Sequence, residues 1–296
     1  MTFTLFLQQL LNGLSIGSTY AIFALGYTLV YSILGIINLS HGAVFTLGAY
    51  CTYALMGGAF GFSGVLANAS LPFSLPFIFA LITSSILAGL IGVVIERVAF
   101  LPLRSKGSDP LLTVVSSLGV AQIIVNLIQY LVGAENYTFP ANTYGDLPPA
   151  INFGTAENPI TIRTVQIIIF VVSVIIVAIL TYFINRTKYG KAMQAIAEDP
   201  ITSSLLGINS DRIIIFTFFI SSFLAGIAGT LLASSVSIAG PYFGIVFGLR
   251  GLAVIVLGGL GSIPGAVLGG FLIGIIKAKI KGKLKGKDAF ASTPLK

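Results

Sequence analysis

The sequence predicts an all-α, polytopic integral membrane protein of about seven to eight transmembrane helices, broken in places at glycine-rich segments. Three observations carry the prediction. Charged residues make up 8% of the 296 residues against 56% hydrophobic, and the mean hydropathy is +1.01. A soluble domain is roughly 25% charged, so this chain has lipid as its solvent over most of its area. The apolar runs are also long and unalternated, as in TVQIIIFVVSVIIVAILTYF. Backbone groups in lipid are satisfied only by helices or a closed barrel, and barrel strands would alternate apolar with polar. Finally, 34 glycines suit closely packed membrane helices.

Spans are expected at residues 8–31, 41–58, 75–96, 110–132, 164–184, 213–235 and 243–276, within a transmembrane domain covering 1–276. The opening MTFTLFLQQ lacks the basic n-region of a cleaved signal peptide, so the first span is retained. No Asp, Glu, Lys or Arg occurs from Met1 to Ile95. The last span is too long and glycine-rich for one simple helix and is expected to split around GGLGSIPG. Two loops are basic, one with Arg97, Arg104 and Lys106, the other (185–212) with Arg186, Lys188, Lys191 and Arg212. Between them, loop 133–163 carries Glu135, Asp146 and Glu157 with only Arg163. The positive-inside rule sends the basic loops to the cytoplasm and loop 133–163 outside. Counting spans puts the N-terminus outside and the lysine-rich tail, 277–296, inside. With a lysine at every second position from 277 to 287, that tail forms no helical face. It reads as a disordered basic tail near anionic lipid, or as an altered or truncated end.

Three constellations stand out. Asn38, Ser40, the lone histidine His41 and Gly42 interrupt the first apolar region. They form either a turn whose Asn38 and Ser40 cap the next helix or a broken helix lining a path. Gly258, Gly259, Gly261, Ser262 and Gly265 form the second, with Ser262 placed to cap a helix that Pro264 opens. Arg250 nearby is the one basic residue inside an apolar run; it either snorkels outward or meets a carboxylate. The third is an amphipathic helix pair at Lys188–Leu206, interrupted by Pro200 after Glu198–Asp199 and ended by Gly207. It either lies on headgroups or docks a partner.

Other chemistries are excluded by absence. There is one cysteine, so no internal disulfide and no Cys/His metal set; no metal or cofactor is expected. No G-x-x-x-x-G-K-[ST] run occurs, and His41 has no acid partner in its surroundings. Glu96 and Asp109 border spans and the other acids lie in loops or the tail, so no buried carboxylate for proton coupling is expected. The positive charge is concentrated in the tail and is no nucleic-acid signal.

Together these motifs resemble the permease family of branched-chain amino acid ABC transporters. LNGLSIGSTYAIFALGYTLVYSILGIINLSHGAVFTLGAY is similar to that family's opening, AIAEDPITSSLLGI to its cytoplasmic loop, and AVIVLGGLGSIPGAVLGG to its late glycine-rich signature. The resemblance runs from about residue 7 to 276 and departs from the family pattern at Ser203, Ser204 and the lysine-rich end. It implies a non-enzymatic subunit of a bacterial inner-membrane importer. The implied partners are a second permease, two ATPase subunits and a periplasmic binding protein. It places Lys191, Glu198, Asp199, Pro200 and Gly207 in the ATPase-coupling loop. Asn38, Ser40, His41, Gly42, Arg250 and the 258–265 group fall near the translocation path. Branched-chain or other neutral amino acids are the expected cargo. Urea or short amides, and a self-sufficient carrier or channel, are the alternatives.

Overall fold

The computed structural model describes residues 3–291 except 62, 108, 141, 142, 146, 149 and 154–159. Asp146, Glu157 and the last five residues of the tail lie outside the described residues.

The described residues form eleven α-helices and four short strands. They are α1 (Phe3–Leu34), α2 (Ser40–Leu55), α3 (Phe77–Ile95), α4 (Leu101–Ser105), α5 (Pro110–Val132), α6 (Thr164–Arg186), α7 (Lys188–Glu198), α8 (Pro200–Leu205), α9 (Ser210–Val236), α10 (Phe243–Gly258) and α11 (Ile263–Ala291). A π-helical turn, Glu96–Phe100, joins α3 to α4. Six of the helices are long and apolar enough to cross a membrane, and α10 is a shorter apolar helix. Starts are fixed locally where the sequence offers caps. Asp109 accepts from Leu111 N–H at 2.8 Å ahead of α5, and Asn209 from Arg212 N–H at 3.0 Å ahead of α9.

α1 and α9 form the centre. Of α1's apolar window 89% is buried, against 22% for α6, which leaves α6 facing lipid. Two contacts define one face of the molecule. Strand β1 (Asn136–Tyr137) pairs antiparallel with β4 (Ile238–Ala239), and Gln8, near the start of α1, bonds Thr161 in β3 (Ile160–Arg163). Loop 133–163, the start of α1 and the α9–α10 connection therefore share that face. On the opposite face Arg104 meets Asp211 at 3.0 Å, tying the two basic loops together.

The end of the chain differs from expectation in two ways. The segment 243–276 does split, and its halves form a hairpin: a Cβ on Gly258 would sit 2.1 Å from Gly265 O, and one on Gly269 would sit 2.6 Å from Val254 O. α11 then runs back along α1, with Gly274 against Gly17 and Ala278 against Gly13. This extra crossing delivers the lysine-rich end to the face of loop 133–163, opposite the basic loops. The described part of the tail is also not irregular, because α11 continues to Ala291.

α1–α2–α3 and α9–α10–α11 are inverted copies of one another. The first helix of each triplet packs on the last helix of the other, and the two short middle helices pack together. Both short helices have 16 residues. At an offset of 202 residues, 28–50 and 230–252 match at 8 of 23 positions without a gap, including Gly42, Val44, Phe45 and Leu47 with Gly244, Val246, Phe247 and Leu249. The contacts are reciprocal. A Cβ on Gly42 would meet Gly244 O at 2.6 Å, and one on Gly244 would meet Gly42 O at 2.0 Å. The Phe45 and Phe247 rings stack at 5.7 Å. Gly35 and its counterpart Ser237 both take positive φ, +64° and +78°, where each long helix turns back.

Candidate translocation elements

α2 starts inside the protein. His41 packs on Gly26, roughly two helical turns (~12 Å) before the end of α1, and a Cβ on Gly26 would touch its ring at 2.6 Å. The backbone that climbs to this depth is satisfied by side chains. Leu39 N–H donates to Ser117 Oγ at 3.1 Å, and Asn38 Oδ1 accepts from Ser40 N–H at 3.1 Å and Ser40 Oγ at 2.5 Å. Asn38 thus collects donors at the start of α2, whereas Ser40 donates and does not cap. α10 opens at the same depth, where Gly244 N–H donates to Thr46 Oγ at 2.8 Å. Irregular backbone at membrane depth persists only where protein or a cavity covers it, and here protein covers it.

His41 is 1% exposed. Its Nε2 lies 3.1 Å from Phe23 O; a carbonyl only accepts, so this nitrogen carries the proton. Nδ1 is 3.3 Å from Ser221 Oγ, whose hydroxyl also reaches Gly26 O at 2.7 Å. Phe23 and Tyr27 hold the ring, at 4.6 and 4.9 Å between centroids. His41 is a joint between α1, α2 and α9.

The second constellation forms the α10–α11 turn, on the face of the basic loops. Gly259 and Gly261 take φ of +93° and +83°, which a Cβ would strain. Ser262 Oγ accepts from Gly265 N–H at 3.2 Å, the cap expected from the sequence. Ser32 at the end of α1 reaches Gly261 O at 3.2 Å. A cavity of about 550 Å³ joins this turn to the third constellation, with Ser32, Gly261 and Ile263 on one side and Met193, Gln194 and Glu198 of α7 on the other. The structure therefore brings the second and third constellations together, while His41 lies deeper.

The third constellation is a pair of anchored helices. Met193 and Ile196 pack on Ile213 of α9, and a Cβ on Gly190 would meet Ile184 Cα at 2.4 Å. Asp199 caps α8 through Ile201 N–H at 2.8 Å and Thr202 N–H at 3.1 Å, and it also accepts from the Thr202 hydroxyl. That hydroxyl, with the two N–H groups, holds the Asp199 carboxyl below the usual aspartate value. Gly207, at φ +84°, follows α8. Ile201, Leu205 and Leu206 are 73%, 82% and 76% exposed, a bare apolar ridge on a charged face. Lys191 and Glu198 are exposed beside it.

Sequence reasoning missed Glu96 as a buried group and Lys277 as the companion of Arg250. Glu96 has a fully buried side chain, with Arg104 Nη2 at 3.1 Å linking it to Asp211; the sequence showed only a charge at a span's end. On α10, Arg250 stands 5.1 Å over the Phe247 ring, and Lys277 Nζ bonds Tyr20 OH at 3.1 Å while lying 5.5 Å from the same Phe247 ring. Lys277 had been assigned to the tail. The 202-residue offset was the available signal, since it sets Arg250 where the first repeat has Gly48.

An inverted helical repeat with helices opening at mid-depth and an exposed helix pair on one face define a membrane transport protein. The family model described as "Branched-chain amino acid transport system / permease component" matches residues 9–290, and the chain belongs to that family. It is 39% identical to the high-affinity branched-chain amino acid transport system permease protein BraD of Pseudomonas aeruginosa, over 89% of this chain and 82% of that one. Permease protein LivH of Escherichia coli K12 is 37% identical, over 90% and 83%. The ribose import permease protein RbsC of Haemophilus influenzae is 26% identical, over 87% and 71%. No solved structure matches. The protein is accordingly a multi-pass component of a bacterial inner membrane, and its family consists of transport permeases.

Proposed function

We propose that this chain is the membrane-spanning subunit of an ATP-driven importer for branched-chain or other neutral amino acids. A second permease, two ATPase subunits and a periplasmic binding protein complete the machine. The observation that carries the reading is the α7–α8 pair. Its apolar ridge is open to a partner, while Glu198 at its end borders the same cavity as the glycine turn of the second repeat. A partner that moved α7 would move that turn, and with it the α10–α11 hairpin. Alternating access follows if the partner's ATP-bound state favours one arrangement of the hairpin. The basic loops face the cytoplasm, and loop 133–163 faces the binding protein. Similarity to permeases named for branched-chain amino acids favours that cargo over urea or amides.

The test pairs uptake with association. Glu198→Lys combined with Gly207→Asp should abolish both leucine uptake and co-purification of the ATPase subunits from membranes. Uptake that persists in cells lacking every candidate ATPase would reject the importer reading and restore the self-sufficient carrier.

A further inference from the structure

Phe243, Val246, Phe247 and Arg250 are spaced i, i+3, i+4, i+7 and so share one face of α10. Val246, 48% exposed, and Arg250 are its open positions, with Phe247 half-buried and Phe243 buried beside them. Its upper half borders an apolar cavity of about 350 Å³ lined by Val246, Phe243 and Phe247. Its lower half is cationic. Arg250 and Lys277 converge on the Phe247 ring from α10 and α11, and Tyr20 of α1 holds Lys277 in place. Lys277 bends back into the bilayer when it could extend toward the near face, because side chains lean toward their own helix N-terminus. No Asp or Glu lies on α1, on α10 or within 263–280.

We propose that this face is a transit site for an aliphatic α-amino acid, with the carboxylate held by Arg250 and Lys277 and the hydrocarbon side chain in the cavity against Val246, Phe243 and Phe247. The site rests on the importer reading above and adds to it where, and by which groups, cargo is held inside the membrane. Two cations beside an apolar recess complement two parts of this ligand, its carboxylate and its branched hydrocarbon, and its α-ammonium is left on the open side of the face. The equivalent face of the first repeat has Gly48 in place of the arginine and is closed by packing, so the site exists once per chain.

The assembled transporter, with partner permease, ATPases and binding protein in liposomes, provides the test. In a Cys51→Ser background, Val246→Cys is labelled with a water-soluble thiol reagent. Millimolar leucine should slow labelling, and leucinamide, which lacks the carboxylate, should not. Arg250→Gln should remove the protection, and Arg250→Gln with Lys277→Gln should lower the maximal uptake rate about tenfold or more, as loss of charge-assisted bonds predicts. Equal effects of leucine and leucinamide would overturn the site. So would labelling already blocked without leucine, which would mean that lipid or the partner permease covers this face. Should Arg250→Gln fail to assemble, the comparison of leucine with leucinamide on native cations decides alone. A parent transporter with no uptake at all would sink the importer reading instead, and is thereby told apart from uptake that ignores both cations.

Discussion

The openings of α2 and α10 share one backbone plan and do opposite work. Eleven of α2's 16 residues are buried, against six of α10's 16. Two of the pairs that agree, Gly42 with Gly244 and Phe45 with Phe247, touch across the pseudo-two-fold. Two of the positions that differ carry the divergence. His41, sealed among α1 and α9, stands opposite Phe243, and Gly48 stands opposite the exposed Arg250. The contact surface constrains both copies equally, whereas the outward faces are free to diverge into a structural joint and a cationic face.

The comparison breaks most severely at the shared glycines. Gly42→Val or Gly244→Val drives a side chain into the partner's carbonyl and should cost more than about 3 kcal/mol, read as loss of membrane-inserted, detergent-stable protein. Gly119→Ala, whose Cβ meets nothing within 4 Å, is the control. His41→Phe gives the first repeat the second repeat's residue. It removes the Nε2–H donor from Phe23 O and the Nδ1 contact with Ser221, and should destabilise by about 1–3 kcal/mol; an unchanged thermal midpoint would deny His41 its role as a joint. Thr46→Val takes the acceptor from Gly244 N–H and should cost about 1 kcal/mol by the same measurement. The smallest effect lies outside the repeats. Because the folded Asp199 carboxyl is held below its ordinary value, its cap contributes fully above about pH 4. The contribution is lost as pH falls through the depressed value. Protection of the Ile201 and Thr202 amides, taken relative to their intrinsic exchange at each pH, should hold from pH 7 to 5 and fall only under pH 4, and Asp199→Asn should abolish that dependence.

Much of the fold was legible because lipid leaves few options. Apolar run length predicted the long helices, the amphipathic pattern after Lys188 predicted α7 and α8, and Gly-Ser-Ile-Pro predicted the break with its Ser262 cap. The sidedness of the tail was not legible. It depended on whether the break was a kink or a turn, and the positive φ values of Gly259 and Gly261 decide for a turn. The site was harder. Arg250 drew notice as a lone cation, but Lys277 seemed to belong to a run of lysines. Only the antiparallel packing of α11 on α1 brings it to Tyr20. The inverted repeat was present in the letters but is diluted, with 15 of the 23 aligned positions changed.

The first repeat has a further property that follows from its composition. From Met1 to Ile95 it contains no charge, so it offers the insertion machinery no address of its own. By the positive-inside rule its direction is expected to follow Arg97, Arg104 and Lys106, synthesised after it. Basic residues placed in the Gly35–Leu39 turn would reinforce that orientation, whereas the same residues ahead of Phe3 would compete with it. The second repeat, laid down after the basic segment 186–212, never faces that choice.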